Sequence, residues 1–66
     1  MTVNIGDKFF LHGVNLLYKI VNINDFRPSD MKYACDIFDE KGNSAFDVLF
    51  IGDDFFTANK DKIERV

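Results

Sequence analysis

The amino-acid sequence predicts an all-β protein, a small five-stranded and partly open barrel with a short helical turn before the last strand. Three observations carry this expectation. Four short stretches are rich in β-branched and aromatic residues and are bounded by turn formers. The tightest connection, "DEKGN", has its glycine where a short hairpin loop needs one. Finally, a flat five-stranded sheet would leave two unpaired edges, which curling toward closure removes.

The first strand lies in "DKFFLHG", where Phe9 and Leu11 share one face and Phe10 takes the other, behind a Gly6-Asp7 turn signal. The second, "LLYKIVNIN", is apolar on both faces, with Leu16, Tyr18 and Ile20 opposed to Leu17, Lys19, Val21 and Ile23. It is therefore expected to be central, or bulged so that different faces point inward along its length. A longer loop, "NDFRPSDM", follows; Pro28 has no ladder donor and Asn24, Asp25, Ser29 and Asp30 favour turns.

The third strand, "KYACDIFD", groups Tyr33, Cys35 and Ile37 on one face, with Asp36 marking the other as wetter. In the hairpin after it, Gly42 can take the positive φ that other residues resist. The fourth strand, "SAFDVLFI", contains the longest apolar run, Val48 to Ile51, which reads as a buried strand; Phe46, Val48 and Phe50 alternate with Ala45, Asp47, Leu49 and Ile51. Beyond it, "GDDFFTANKDK" can hold a helical turn capped by Asp53, and "KIERV" a brief closing strand with Ile63 and Val66 inward.

This order of strands and turns resembles the SH3-like small barrels, including the Tudor and KOW types. "VNIGDKFFL" is similar to the Gly-Asp turn that opens such barrels, "YACDIFDEKGNSAFDV" to their distal hairpin, and "GDDFFTANKDKIERV" to the helical turn before the last strand. The resemblance implies a fold and no functional residue. There is no Trp and no ALYDY-like stretch to grip a proline-rich ligand, and no basic loop of the kind that contacts RNA.

Residues 1–66 are expected to form one domain, since a chain of this length supports a single small core. Apolar residues at 47% and charged residues at 29% fit a folded protein rather than a disordered tail. Lone Cys35 has no partner for an internal disulfide or a metal clip, which favours a reducing compartment. The start "MTVNIGDKFF" lacks the pattern of a secretory signal, no run is long enough to cross a bilayer, and a cytoplasmic location is expected.

Charge is unevenly placed. Residues 1 to 33 hold four basic and three acidic side chains, and residues 34 to 66 four basic and eight acidic. Nothing forms the basic stripe that a phosphate backbone demands, so direct nucleic-acid binding is not expected.

The chemistry-bearing residues are few. His12 and Cys35 read as a loop histidine and an inert core thiol, and no enzyme activity or cofactor is expected. Asp36, Asp39 and Glu40 lack the spacing of a calcium loop and read as a solvated hairpin tip. "IGDKFF" at 5–10 and "IGDDFF" at 51–56 match in five of six letters, but "LHGVNLL" and "TANKDKI" after them do not align. The match is turn chemistry used twice, not an internal repeat.

Eight phenylalanines in 66 residues are the strongest oddity. Neighbours in a strand point to opposite faces, so one of Phe9 and Phe10 must leave the main core. Exposed aromatics and arginine are enriched where proteins meet. The expected function is therefore a non-enzymatic module that binds a protein partner, with Phe26, Arg27, Phe10 and Phe55 as proposed anchors. Two alternatives stand beside it. Asp36, Asp39, Glu40, Asp47, Asp53 and Asp54 make an acidic segment with which an inhibitor, of the kind phages encode, would imitate nucleic acid and block an enzyme that acts on it. The third expectation is a self-associating protein, a homodimer joined through spare aromatics or an unpaired edge.

Overall fold

Turns decide where each strand begins. Gly6, at φ +95°, lets its N–H reach the Ile20 carbonyl (2.7 Å), which sets β1 (Lys8–Leu11) against β2 (Leu16–Ile23). Gly42, at φ +83°, turns the chain between β3 (Tyr33–Phe38) and β4 (Ser44–Ile51). There the Asp39 side-chain oxygen accepts from the N–H groups of Lys41 and Asn43, both at 2.9 Å. A helix, α1 (Asp53–Ala58), and a short strand, β5 (Ile63–Arg65), complete the chain. The computed structural model describes residues 2–66.

The strands form one antiparallel sheet in the order β4-β3-β2-β1-β5, open at both ends rather than closed into a barrel. This is the all-β, partly open architecture expected from the sequence. The register of β2 on β3 shifts between Ile20 and Asn22, so a bulge turns the strand over. Tyr18 and Ile20 face inward before it, and Ile23 packs against the core after it, which is how β2 buries apolar residues from both of its sequence faces.

One face of the sheet carries the core. Phe9, Tyr18, Ile20, Tyr33, Cys35 and Ile37 pack there beneath Phe56 of α1, whose ring lies 5.0 Å from that of Phe9 and 5.6 Å from that of Tyr33. The two Ile-Gly-Asp stretches differ in structure. The first makes a left-handed turn into a strand. In the second, Gly52 precedes α1 with an extended backbone, and a Cβ there would collide with the Ser29 carbonyl oxygen and the Asp30 Cα.

Three sequence expectations are corrected. The helix cap is Gly52 and not Asp53, because Asp53 is the first helical residue and one of its carboxylate oxygens accepts a hydrogen bond from the Tyr33 hydroxyl (2.5 Å). Val66 is 63% exposed past the end of β5, leaving Ile63 to pack inward. Most consequentially, the run Val48 to Ile51 is not a buried strand. β4 lies at the edge of the sheet, where no further strand pairs with it, and only Ile51, at the end that packs near the Ser29–Met31 turn, is enclosed. Register shifts opposite Asp36 and near Ala45 also break its simple alternation, so Phe46 and Leu49 lie beside Ile37 and Cys35 on the helix side, while Phe50 lies beside Ala34 on the other.

Candidate protein-binding surface

The face of the sheet away from α1 is built by register. Antiparallel neighbours point the same way, so Phe10 stands beside Leu17 and Leu17 beside Phe38, making a half-exposed apolar row across β1, β2 and β3. One pleat along, Lys8 is directly opposite Lys19, which is opposite Asp36. The apolar row floors a groove of about 410 Å³, with Lys8 and Lys19 on one side and Asp39 and Glu40 of the hairpin on the other.

Two ammonium groups facing each other across a ladder repel, a destabilising arrangement unless an anion answers it. Among the described residues no carboxylate lies within 4.0 Å of either lysine; the acids that do form ion pairs serve His12, Lys32 and Arg65. The groove therefore presents an apolar floor, a positive side whose two lysines make no ion pair within 4.0 Å although Asp36 lies across the ladder from Lys19, and a negative side.

The four aromatic and basic residues singled out in the sequence are not brought into one patch. Phe10 belongs to the groove, its ring edge-on to His12 at 4.8 Å. Phe26 projects from the long loop and is 99% exposed. Arg27 is half-buried and ties that loop together: Nε donates to the Met31 carbonyl (2.8 Å), and Nη2 to the Lys32 carbonyl (2.9 Å) and the Asn22 side-chain oxygen (3.2 Å). Its guanidinium also stands 5.1 Å above the Phe50 ring. Phe55 lies on the helix side, half-buried against Tyr18 with ring centres 5.3 Å apart.

The six acids of the second half are likewise dispersed. Asp39 and Glu40 sit at the hairpin tip and Asp53 and Asp54 at the start of α1, separated by the eight-residue strand β4, on the order of 25 Å. Asp36 is half-buried in mid-sheet, Asp39 closes the hairpin, and Asp53 is engaged by Tyr33 and Lys32. No group of three metal-ligating side chains occurs among the described residues.

Burial controls the titration of the enclosed groups. It pushes the Cys35 thiol up to about 12, with Asp36 adding to the effect. The Tyr33 hydroxyl is raised by burial and by its bond to Asp53, and Tyr18 by burial and by Cys35. At neutral pH Cys35 is thus a protonated core thiol, the opposite of an activated nucleophile. His12 lies in an exposed loop with Nε2 3.1 Å from Glu64 Oε1.

Sequence reasoning passed over Lys8, Leu17, Lys19 and Phe38. Each is ordinary alone, and only the strand register brings them together. No family model, curated protein or solved structure matches this chain. No helix is long and apolar enough to cross a membrane.

Proposed function

We propose that this protein is a binding module without chemistry of its own, which holds an extended segment of a partner protein in the groove across β1, β2 and β3. The single observation that supports this reading is the adjacency of Lys8 and Lys19, which face each other and form no close ion pair, to the apolar row Phe10, Leu17 and Phe38. The fitting segment has a carboxylate side chain, then a bulky apolar side chain, then a basic side chain. Its acid meets the lysines, its apolar group displaces water from the aromatic floor, and its base meets Asp39 and Glu40. The resemblance of the strand order to SH3-like barrels is in keeping with a binding role and contributes no residue to it.

Selection from a displayed peptide library tests the reading. Peptides with the acidic, apolar, basic order should be enriched on the native protein and lost on Lys19→Glu and Phe10→Ser variants that remain folded. Equal enrichment on the native protein and both variants, or no enrichment at all, would overturn it.

A further inference from the structure

The groove has an axis, and the axis runs along the strands. Register is unbroken from Lys8 to Phe10 on β1, from Lys19 to Leu17 on β2 and from Asp36 to Phe38 on β3, because the bulge of β2 lies beyond Lys19. Along this direction the lysines come first and the apolar row one pleat later. The hairpin carboxylates come last, since Asp39 and Glu40 follow Phe38 directly. Side chains on one face of a strand recur every two residues, about 6.8 Å. The groove is thus spaced by the repeat of an extended chain.

We infer, given the binding role proposed above, that the groove reads alternate residues of its ligand: an acid, a bulky apolar residue two positions on and a base two positions beyond that, with the residues between them turned to solvent. The acid belongs between Lys8 and Lys19, at the end away from Asp36, which lies across the ladder from Lys19 and about 10 Å from Lys8. The apolar residue lies over Phe10, Leu17 and Phe38, all half-buried on that one face.

The base has a place of its own. The β2–β3 ladder ends at Leu17 and Phe38, and the chains then part into turns, the Asn15 N–H bonding to the Leu11 carbonyl (2.9 Å) and the Asp39 N–H to the Asn43 carbonyl (2.8 Å). Between the turns is a notch of about 440 Å³ that shares Asp39 and Glu40 with the groove and has Val14 and Leu16 on the side of the β1–β2 turn. A long basic side chain fits it, its methylenes on Val14 and Leu16 and its head at the carboxylates. Lys41 also lines the notch, which leaves two carboxylates against one ammonium. Alternation sets this ligand apart from two others. Three consecutive residues of an extended chain point to opposite faces in turn, and an α-helix offers steps of about 4.5 or 6 Å, both short of the pleat.

Fluorescence anisotropy of three labelled peptides with the full chain tests the inference: Glu-Ala-Phe-Ala-Arg between flanking alanines, Glu-Phe-Arg in the same alanine frame, and the helical spacing Glu-Ala-Ala-Ala-Phe-Ala-Ala-Arg. The alternating peptide should bind at least about tenfold more tightly than either of the others. Lys8→Glu should turn the preference at the first position from acid to base, and Glu40→Lys that at the last from base to acid. Both side chains are exposed, so both variants should keep the fold. Equal binding of the three peptides, tighter binding of the consecutive or helical spacing, or preferences unmoved by the charge reversals would overturn the inference and leave the binding role standing. No binding by any of the three would remove the binding role, and the inference with it.

Discussion

At the residue scale, the eight phenylalanines divide by the work they do. Phe9 is fully enclosed and Phe56 almost so, whereas Phe26 is 99% exposed and Phe46 58%. Removing a buried ring costs about 3–5 kcal/mol through lost transfer energy and a residual cavity, a large share of what a domain of this size possesses. Phe9→Ala is therefore expected to unfold at 25 °C or at very low urea. Phe26→Ser should shift stability by less than about 0.5 kcal/mol, because the ring contributes no enclosed contact. Urea unfolding followed by circular dichroism separates the two.

Cys35 supplies a pH dependence with a definite sign. The unfolded thiol releases its proton near 9.0, and the folded one near 12. Between those values the unfolded state binds fewer protons than the folded state, so stability is intact below about pH 9 and falls as pH rises. The raised hydroxyls of Tyr18 and Tyr33 add to this loss from their ordinary value of 10.0 upward. Urea midpoints taken from pH 7 to pH 11 should decline on the alkaline side. In Cys35→Ala the decline between pH 9 and 10 should be shallower, and an unchanged slope would contradict the assignment.

At the scale of elements, the sequence was most legible where backbone chemistry is local. Gly42 announces the hairpin, and its φ of +83° bears that out. The two apolar faces of β2 called for a central or a bulged strand, and β2 is both, in the middle of the sheet with a bulge between Ile20 and Asn22. Gly42→Ala should cost about 1 kcal/mol or more, since alanine resists that backbone geometry. Gly52→Ala should be worse for a different reason, the collision of its methyl group with the backbone at Ser29 and Asp30. Loss of near-ultraviolet signal, with the sheet retained, is the expected sign that α1 has come away.

What the sequence concealed was non-local. Val48 to Ile51 has the composition of an interior strand, and nothing within it reveals that no neighbour lies beyond. Arg27 looks like a free surface anchor until its bonds to the Met31 and Lys32 carbonyls are known. Lys8 and Lys19, eleven positions apart, become opposed only through the β1–β2 register.

At the scale of the whole molecule, the architecture puts the core and the proposed binding groove on different faces. The helix side holds the aromatic core and the far side holds the groove, so substitution of Lys8 removes a cross-strand repulsion and should leave the fold intact or slightly firmer, whereas substitution of Lys19 also removes its attraction to Asp36 and should be near neutral. Attraction between the lysines and an acidic ligand is screened by salt, so binding should weaken several-fold from low to moderate ionic strength without vanishing, because the apolar floor is not screened.

The most direct measurement is nuclear magnetic resonance titration of the isotope-labelled protein with a library-selected acidic, apolar, basic peptide. The account expects saturable shifts centred on Phe10, Leu17, Lys19 and Phe38, lost in Lys19→Glu. Shifts centred on β4 or on Phe26, or no saturable shifts, would contradict it.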